Sequence, residues 1–548
     1  MLRVTCDGQV VRLEPRTMQV LVYLAAYAGR VISRAELEEN IWQGRIVGED
    51  ALTNTISKLR RTFGDDARNP KTIETLPKTG YRLVAEVNWI DAESEPPAKR
   101  SFRAERPNSL PGRFWMGLLV SMALLTGIAG WLLLQQQAGS DLEISIQSDG
   151  SEGKPSVAII PFENLGEKPQ QDYFANGITA NLITDLSKVS GLLVIAPGSV
   201  FPYRNSTFGT RKISQELNVD YVVRGSVQRQ GHNVRVNAQL IEAASERALW
   251  AERYDSEMSN VFKLQDQVAT ALVAALSVEL APSERDIFSR DPSASVQAYD
   301  LFLRGLEEYG HRTPGSNRSA RGYFEQAIAL DPNFTRATAG LALVHSRDAI
   351  DGWTATPTHS LSLAAKFADT AADINPTVPQ VHFVTGQVAL FRGQHAKAIE
   401  ATQRAIDYSP NYADAYALLA WIMSYAGQPN EALAVLESAI RLNPVIPASY
   451  SEILGEILFL QGNYSNAIAS FERALQINPS HMRARMWLIV TLAQLGKLDE
   501  VQWQVAELML LNSGFSLARL EYAFPFRDQS VRNRLLQLPI THKKALDK

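Results

Sequence analysis

Residues 51–83 read ALTNTISKLRRTFGDDARNPKTIETLPKTGYRL. Leu52, Ile56, Leu59 and Phe63 recur at helical spacing and form one apolar stripe, which predicts a helix from about Asp50 to Phe63. Thr53, Asn54, Ser57, Lys58, Arg60 and Arg61 fill its other positions, with side chains that suit base edges and phosphates. Gly64 stops the helix. Two strand-like runs follow, Ile73–Leu76 and Tyr81–Val87, joined through Pro77, Lys78, Thr79 and Gly80.

Upstream, Leu2–Cys6 and Gln9–Leu13 flank Asp7 and Gly8 as a hairpin. Pro15 opens a helix whose apolar face is Met18, Leu21, Val22, Leu24 and Ala25, and Gly29 stops it. Ser33 caps a second helix, Glu36 completes a capping box, and Leu37, Ile41 and Trp42 form its buried side. Three helices closed by a hairpin make a winged helix-turn-helix, with the third helix as the reader of the major groove.

With SRAELEENIW at 33–42, this text resembles the OmpR-type DNA-binding domain over roughly residues 9–87. The resemblance implies that Thr53, Asn54, Ser57, Lys58 and Arg61, with Arg60 beside them, face bases or phosphates. It sets Lys78, Thr79 and Arg82 on or beside the wing. Response regulators of this family often carry Arg where this chain has Pro77, and the PKTGY run is closer to the membrane-bound ToxR/CadC type. The family also has a longer N-terminal sheet than the one hairpin here. With no receiver domain ahead of the winged helix, phosphorylation of a receiver aspartate in cis is not the expected input.

Residues 114–134, FWMGLLVSMALLTGIAGWLLL, are twenty-one residues without a charge. At about 1.5 Å per helical residue they span roughly 30 Å, a bilayer's hydrocarbon core. Trp115 and Trp131 stand near the two ends, where interfacial indoles are favoured. The alternative is a buried hairpin helix. Lys99, Arg100, Arg103, Arg106 and Arg113 precede the segment, and no Lys or Arg occurs from Gln135 to Gly150. Basic flanks resist translocation, so the N-terminus is expected in the cytoplasm and the C-terminus in the periplasm, across a bacterial inner membrane. Ala123, Thr126, Gly127 and Gly130 line up as a small-residue face, suited to pairing two helices or simply facing lipid.

A length of 548 residues predicts three or four domains, and 45% hydrophobic with 20% charged residues is ordinary globular composition. Residues 1–113 carry 18 Lys and Arg against 15 Asp and Glu, whereas the remainder carries 36 against 43. The mildly basic N-terminal part is compatible with nucleic acid without demanding it. Cys6 is the only cysteine, so the exported part has no disulfide and no cysteine zinc site.

From Pro155 an α/β pattern begins, with strands at Val157–Pro161 and Leu192–Pro197 and helices at Gln170–Lys188, Arg211–Leu217 and Val261–Leu280. A hairpin flanks Gly231, His232 and Asn233, and Leu249–Tyr254 offers a further strand. The text resembles a domain of CadC-like regulators and is similar to the N-terminal domain of TolB. Nothing in it forms a nucleotide loop, a nucleophile triad or paired metal carboxylates, and Gly177 and Gly225 read as structural.

Beyond Ala298, Pro376, Pro410, Pro444 and Pro479 recur at intervals of 34, 34 and 35 residues. Pro332 precedes them by 44, which puts an insertion near Asp348–Thr358. Ala398, Ala432 and Ala467 repeat in register, as do Ala327, Ala371, Ala405, Ala439 and Ala474, with Phe324 and Phe471 between them and Gly386 and Gly455 at the small first-helix position. This is the tetratricopeptide pattern, in five or six units. Tyr416, Trp421, Tyr425 and Trp487 read as inter-repeat packing before ligand contact. The eight histidines all lie beyond the membrane segment and do not cluster, so titration near neutrality is a weak argument for a sensor.

The expected architecture is therefore multidomain: a winged helix-turn-helix at 1–90, a basic Pro-containing linker at 91–113, a single transmembrane helix at 114–134 and a spacer at 135–154. A small α/β domain similar to the TolB N-terminal domain follows at 155–285, then an all-α tetratricopeptide superhelix at 290–530 and a tail at 531–548. The whole resembles a ToxR/CadC-type membrane-integrated transcriptional regulator. That resemblance implies double-stranded DNA, the membrane and a protein or peptide on the repeats as partners, and a homodimer on DNA. No enzyme activity, cofactor or metal is expected. The alternative is a membrane-anchored periplasmic scaffold whose repeats dock envelope proteins.

Overall fold

The computed structural model describes residues 3–6, 9–12, 15–33, 36–37, 55–56, 59–60, 62–65, 70–76, 80–85, 153–166, 171–204, 206, 208–281, 284, 295–511 and 524–533. They belong to two units, residues 1–135 and 136–548. The linker, the apolar segment 114–134 and the spacer lie outside the described residues. Among the described residues no helix is long and apolar enough to cross a membrane.

In the first unit, β1 (Arg3–Cys6) pairs antiparallel with β2 (Gln9–Arg12), as the hairpin reading requires. Helix α1 spans Pro15–Ala26. Its buried stripe is Thr17, Met18, Val20 and Leu24, with Leu21 and Ala25 packed against the core, whereas Val22 is 47% exposed. Of the expected face only Val22 is turned out: at roughly 100° per residue it lies about 200° from Val20, on the opposite side. β3 (Ile32–Ser33) and β4 (Ile73–Leu76) flank β5 (Gly80–Leu83), both antiparallel. Val20, Leu24, Ile32, Leu37, Ile56, Leu59, Ile73 and Leu83 share one core. The backbone amide of Glu36 donates to Ser33 Oγ at 3.1 Å, so Ser33 caps the second helix as expected.

The second unit opens on a mixed sheet. β6 is Ser156–Ile159, β7 Glu163–Asn164 and β8 Leu193–Val194; β9 (Tyr221–Gln230), β10 (Asn233–Glu242) and β11 (Arg247–Glu257) follow. The order is β11-β10-β9-β6-β8, with β7 also on β9. β9–β11 form an antiparallel meander, and β6 runs parallel to both β9 and β8. The helices are α2 (Asp172–Leu186), the short α3 (Pro197–Val200), α4 (Thr210–Leu217) and α5 (Val261–Ala275). The second expected strand shrinks to two residues, because Pro197 opens α3 directly after it.

Six helix pairs follow among the described residues. They are α6 (Val296–Gly310) with α7 (Pro314–Leu330), α8 (Thr335–Ile350) with α9 (Pro357–Ile374), and α10 (Pro379–Phe391) with α11 (His395–Tyr408). Then come α12 (Ala413–Tyr425) with α13 (Pro429–Leu442), α14 (Ala448–Leu460) with α15 (Tyr464–Ile477), and α16 (Met482–Gln494) with α17 (Leu498–Leu511). Each marker proline stands two residues past the second helix of a pair, where it blocks continuation. Ala327, Ala371, Ala398, Ala405, Ala432, Ala439, Ala467 and Ala474 are fully buried at the crossings. A Cβ at Gly455 would come within 2.5 Å of the Phe471 ring, so a larger residue there would have to displace that buried ring. The expected insertion is the connection Asp351–Thr356 and the longer helices on either side of it.

Sheet and repeats are continuous. A single core runs from Val157 through α2 and α5 to Phe302 and Leu341. Tyr299 of α6 is fully buried, and its hydroxyl accepts from Asn181 and from Gln265 Nε2 at 2.7 Å. Gly177 lets Leu303 of α6 come against α2. Farther along the array, the loop Asn411 donates through Nδ2 to Val189 O at 3.0 Å, and Ser199 donates to Asn443 Oδ1 at 2.6 Å. The α/β layer thus grips the repeats at both their first helices and their inter-pair loops.

One charged cluster is sealed inside the array. Arg483 Nε and Nη2 reach Glu452 Oε1 at 2.8 Å and Glu456 Oε1 at 2.9 Å, and all three side chains are at most 5% exposed. Trp421 Nε1 donates to Glu456 Oε2 at 3.0 Å, while Arg483 lies 4.6 Å over the Trp421 ring. Burial pushes the Glu456 carboxyl up to about 8; Arg483 opposes this and the neighbouring Glu452 adds to it. A carboxyl raised from its unfolded value contributes stability below that value, and the contribution is lost as pH rises toward 8. The stability of Glu456→Gln relative to the parent chain should therefore rise from about pH 4 through pH 5 to pH 8. The rise comes on top of a pH-independent cost, because its Nε2 cannot accept from Trp421 or Arg483 as a carboxyl oxygen does. Denaturant titrations at the three pH values check this, and a constant offset would contradict it.

Candidate nucleic-acid interface

The wing is built from β4 and β5, and the third helix is anchored behind it by Ile56 and Leu59, 1% and 0% exposed. Gly64, at φ +59°, turns the chain out of that helix. Asp65 then organises the turn into the wing. Its carboxylate accepts backbone N–H groups from Lys71 at 2.6 Å, Thr72 at 3.1 Å and Ile73 at 2.8 Å. Burial alone would raise its pKa, but these three donors and the charge of Arg60 outweigh it and hold the carboxyl below its ordinary value. Gly80 is fixed by sterics as well as by its φ of +152°, since a side chain there would run into the backbone of Ile32 and Ser33.

Two of the nine candidate contact residues fall among the described residues, and both have internal partners. Arg60 Nη2 donates to Ile73 O and to Thr75 Oγ1, each at 2.8 Å, so its guanidinium ties the third helix to β4. The helical register explains this: Arg60 follows Leu59 directly and Ile56 by four, at the flank of the buried stripe. Arg82 donates through Nε to Glu74 Oε2 at 2.9 Å across the β4–β5 ladder, where the two residues are paired. Both side chains are about a third exposed, so this pair stiffens the wing more than it stabilises the fold. Thr53, Asn54, Ser57, Lys58, Arg61, Lys78 and Thr79 lie outside the described residues. Asp65 was not singled out in the sequence, although an Asp just past a helix-ending glycine is a turn signal.

The repeat array is the other binding surface. Trp421, Tyr425 and Trp487 are at most 7% exposed and pack between repeats, as expected. Tyr416 is half-buried, and its hydroxyl donates to Pro410 O at 3.1 Å.

Residues 8–83 match the family described as transcriptional regulatory protein, C terminal. Residues 153–271 match the second domain of HilA/YgeH-like transcriptional regulators. Tetratricopeptide families match 389–451, 424–481 and 458–512. Among curated proteins, the chain is 39% identical over 230 residues to a putative adenylate cyclase 3 of Rhizobium meliloti; the match covers 42% of this chain and 39% of that protein. It is 23% identical to the transcriptional activator CadC of Escherichia coli, over 81% of this chain and 90% of the relative. It is 21% identical to the transcriptional regulator HilA of Salmonella typhi, over 81% and 70%. This chain therefore carries a DNA-binding winged-helix domain of the transcriptional-regulator class, a HilA-like second domain and a tetratricopeptide array.

Proposed function

We propose that this protein is a membrane-anchored one-component transcriptional regulator. The winged helix binds double-stranded DNA in the cytoplasm, residues 114–134 cross the inner membrane once, and the α/β and repeat domains sense a signal in the periplasm. The observation that carries the reading is the winged-helix match at residues 8–83, at one end of a chain similar along most of its length to named transcriptional regulators. The uncharged segment with its basic N-terminal flank supports the anchor and its orientation. Asn54, Ser57, Lys58 and Arg61 fall opposite Ile56 and Leu59 on a helical period, which supports their assignment to bases and phosphates. With one crossing helix, a change in association is the simplest signal, because two winged helices on adjacent half-sites reinforce each other. A homodimer on DNA follows from that mechanism.

The test is genome-wide crosslinking of the tagged full chain in its own host, with a reporter enzyme fused after residue 90 or after residue 140. Discrete promoter occupancy is expected, with transcription at those sites lost when residues 1–90 are deleted. The two fusions should report opposite sides of the membrane. Absence of promoter occupancy, with an intact membrane protein, would leave the scaffold reading in its place.

A further inference from the structure

Past the last repeat helix, residues 524–533 lie back against the array. Phe524 and Phe526 are 1% and 4% exposed, as buried as any core residue. The Phe526 ring stands 4.4 Å edge-on from Tyr425 at the end of α12. The Phe524 ring stands 4.9 Å from Trp487 of α16. Phe526 N–H donates to Phe524 O at 2.9 Å, a tight turn about Pro525. The main chain is held on both sides: Arg527 N–H donates to Tyr425 O at 3.0 Å, and His395 Nε2, at the start of α11, is 2.7 Å from Pro525 O. Three separate helix pairs therefore grip four residues.

A solenoid needs a cap at its end, but this segment reaches beyond the last pair. It contacts α12 and α11, two and three pairs inside the array. Two aromatic anchors in a pocket, fixed by main-chain hydrogen bonds, are how a peptide is read. Beneath both rings, the wholly buried Trp487 has an Nε1–H with no acceptor among the described residues. An unmet buried donor is unfavourable, and no described residue of the segment meets this one.

We propose that this groove is a peptide-receptor site occupied in cis by Phe524-Pro525-Phe526. Its external occupant is an unstructured segment of a partner protein that presents two aromatic side chains from a tight turn. The tether to α17 gives the cis segment a high effective concentration, so the intact chain resists exchange. The groove would bind such a segment whether or not the winged helix binds DNA.

The probe is a labelled peptide with the sequence of residues 521–531, titrated against the full chain in detergent. The full chain should bind it weakly, and Phe524→Ala/Phe526→Ala should bind it at least about 100-fold more tightly, the range that a tether confers. A peptide with both phenylalanines replaced by alanine should bind neither chain. A helical, folded double variant that does not bind the peptide would overturn the proposal. A second arm uses the parent segment itself, with a protease site introduced within 512–523 and cut after folding. Exchange of the cut segment for labelled peptide with helicity retained supports a receptor. A cut segment that never exchanges, or repeats that unfold as it leaves and are not restored by the peptide, would show a structural cap and overturn the proposal.

Discussion

Replacing Lys58 and Arg61 together by alanine should weaken binding of the full chain to its operator by about a hundredfold or more. Each bond to a base edge or phosphate is worth about 1–3 kcal/mol, and in the sequence the two residues fall opposite Ile56 and Leu59 on a helical period. The slope of log affinity against log salt should fall by about one for each phosphate left without its cation. Arg60→Ala should behave differently. Its guanidinium holds β4 through Ile73 O and Thr75 Oγ1, so the expected loss is in thermal stability of the winged helix, with affinity reduced only as far as the fold loosens. Titrations at two salt concentrations beside thermal melts separate the two. Unchanged affinity in the double variant would remove the third helix from the interface.

Arg483→Met should destabilise the repeat array by about 3–5 kcal/mol. The substitution keeps much of the side chain's volume but strands two carboxyls, Glu452 and Glu456, that are 5% and 0% exposed. Trp421 Nε1 on Glu456 and His481 Nε2, 3.5 Å from Glu452, are small replacements for a guanidinium that bonds both carboxyls and the Tyr425 hydroxyl. The triple substitution Arg483→Met/Glu452→Gln/Glu456→Gln should recover much of that loss, because no uncompensated charge is left. Chemical denaturation of the parent chain, Arg483→Met, Glu452→Gln/Glu456→Gln and the triple variant measures the coupling. Additive effects would mean the three side chains do not act as one unit.

Much of the architecture was legible because it rests on period and punctuation. The 34-residue proline and alanine register located the helix pairs, since proline and small residues have few substitutes where helices end or cross. Ser33 and Gly64 marked real helix boundaries for the same local reasons. Side-chain partners across long separations were not legible. Arg60 reads as a cation on a helix until β4 is placed beside it. Glu452 and Glu456 stand four apart within ASYSEILGEILFL without drawing notice in the sequence, and only the fold pairs them with Arg483. The docking of Ser199 on Asn443 joins residues 244 apart, and no local pattern encodes that. Phe524 and Phe526 fall inside the expected repeat domain, but no period in the sequence places them against Trp487.

The central claim is sequence-selective DNA binding by the N-terminal winged helix, and one titration tests it most directly. The purified full chain is titrated against the duplex upstream of its most strongly occupied promoter and against a shuffled duplex, at about 50 and 200 mM salt. The account predicts tighter binding to the promoter by about a thousandfold or more, with affinity for both falling steeply as salt rises. Equal affinity for the two duplexes, or no affinity for either from a folded chain, would contradict it.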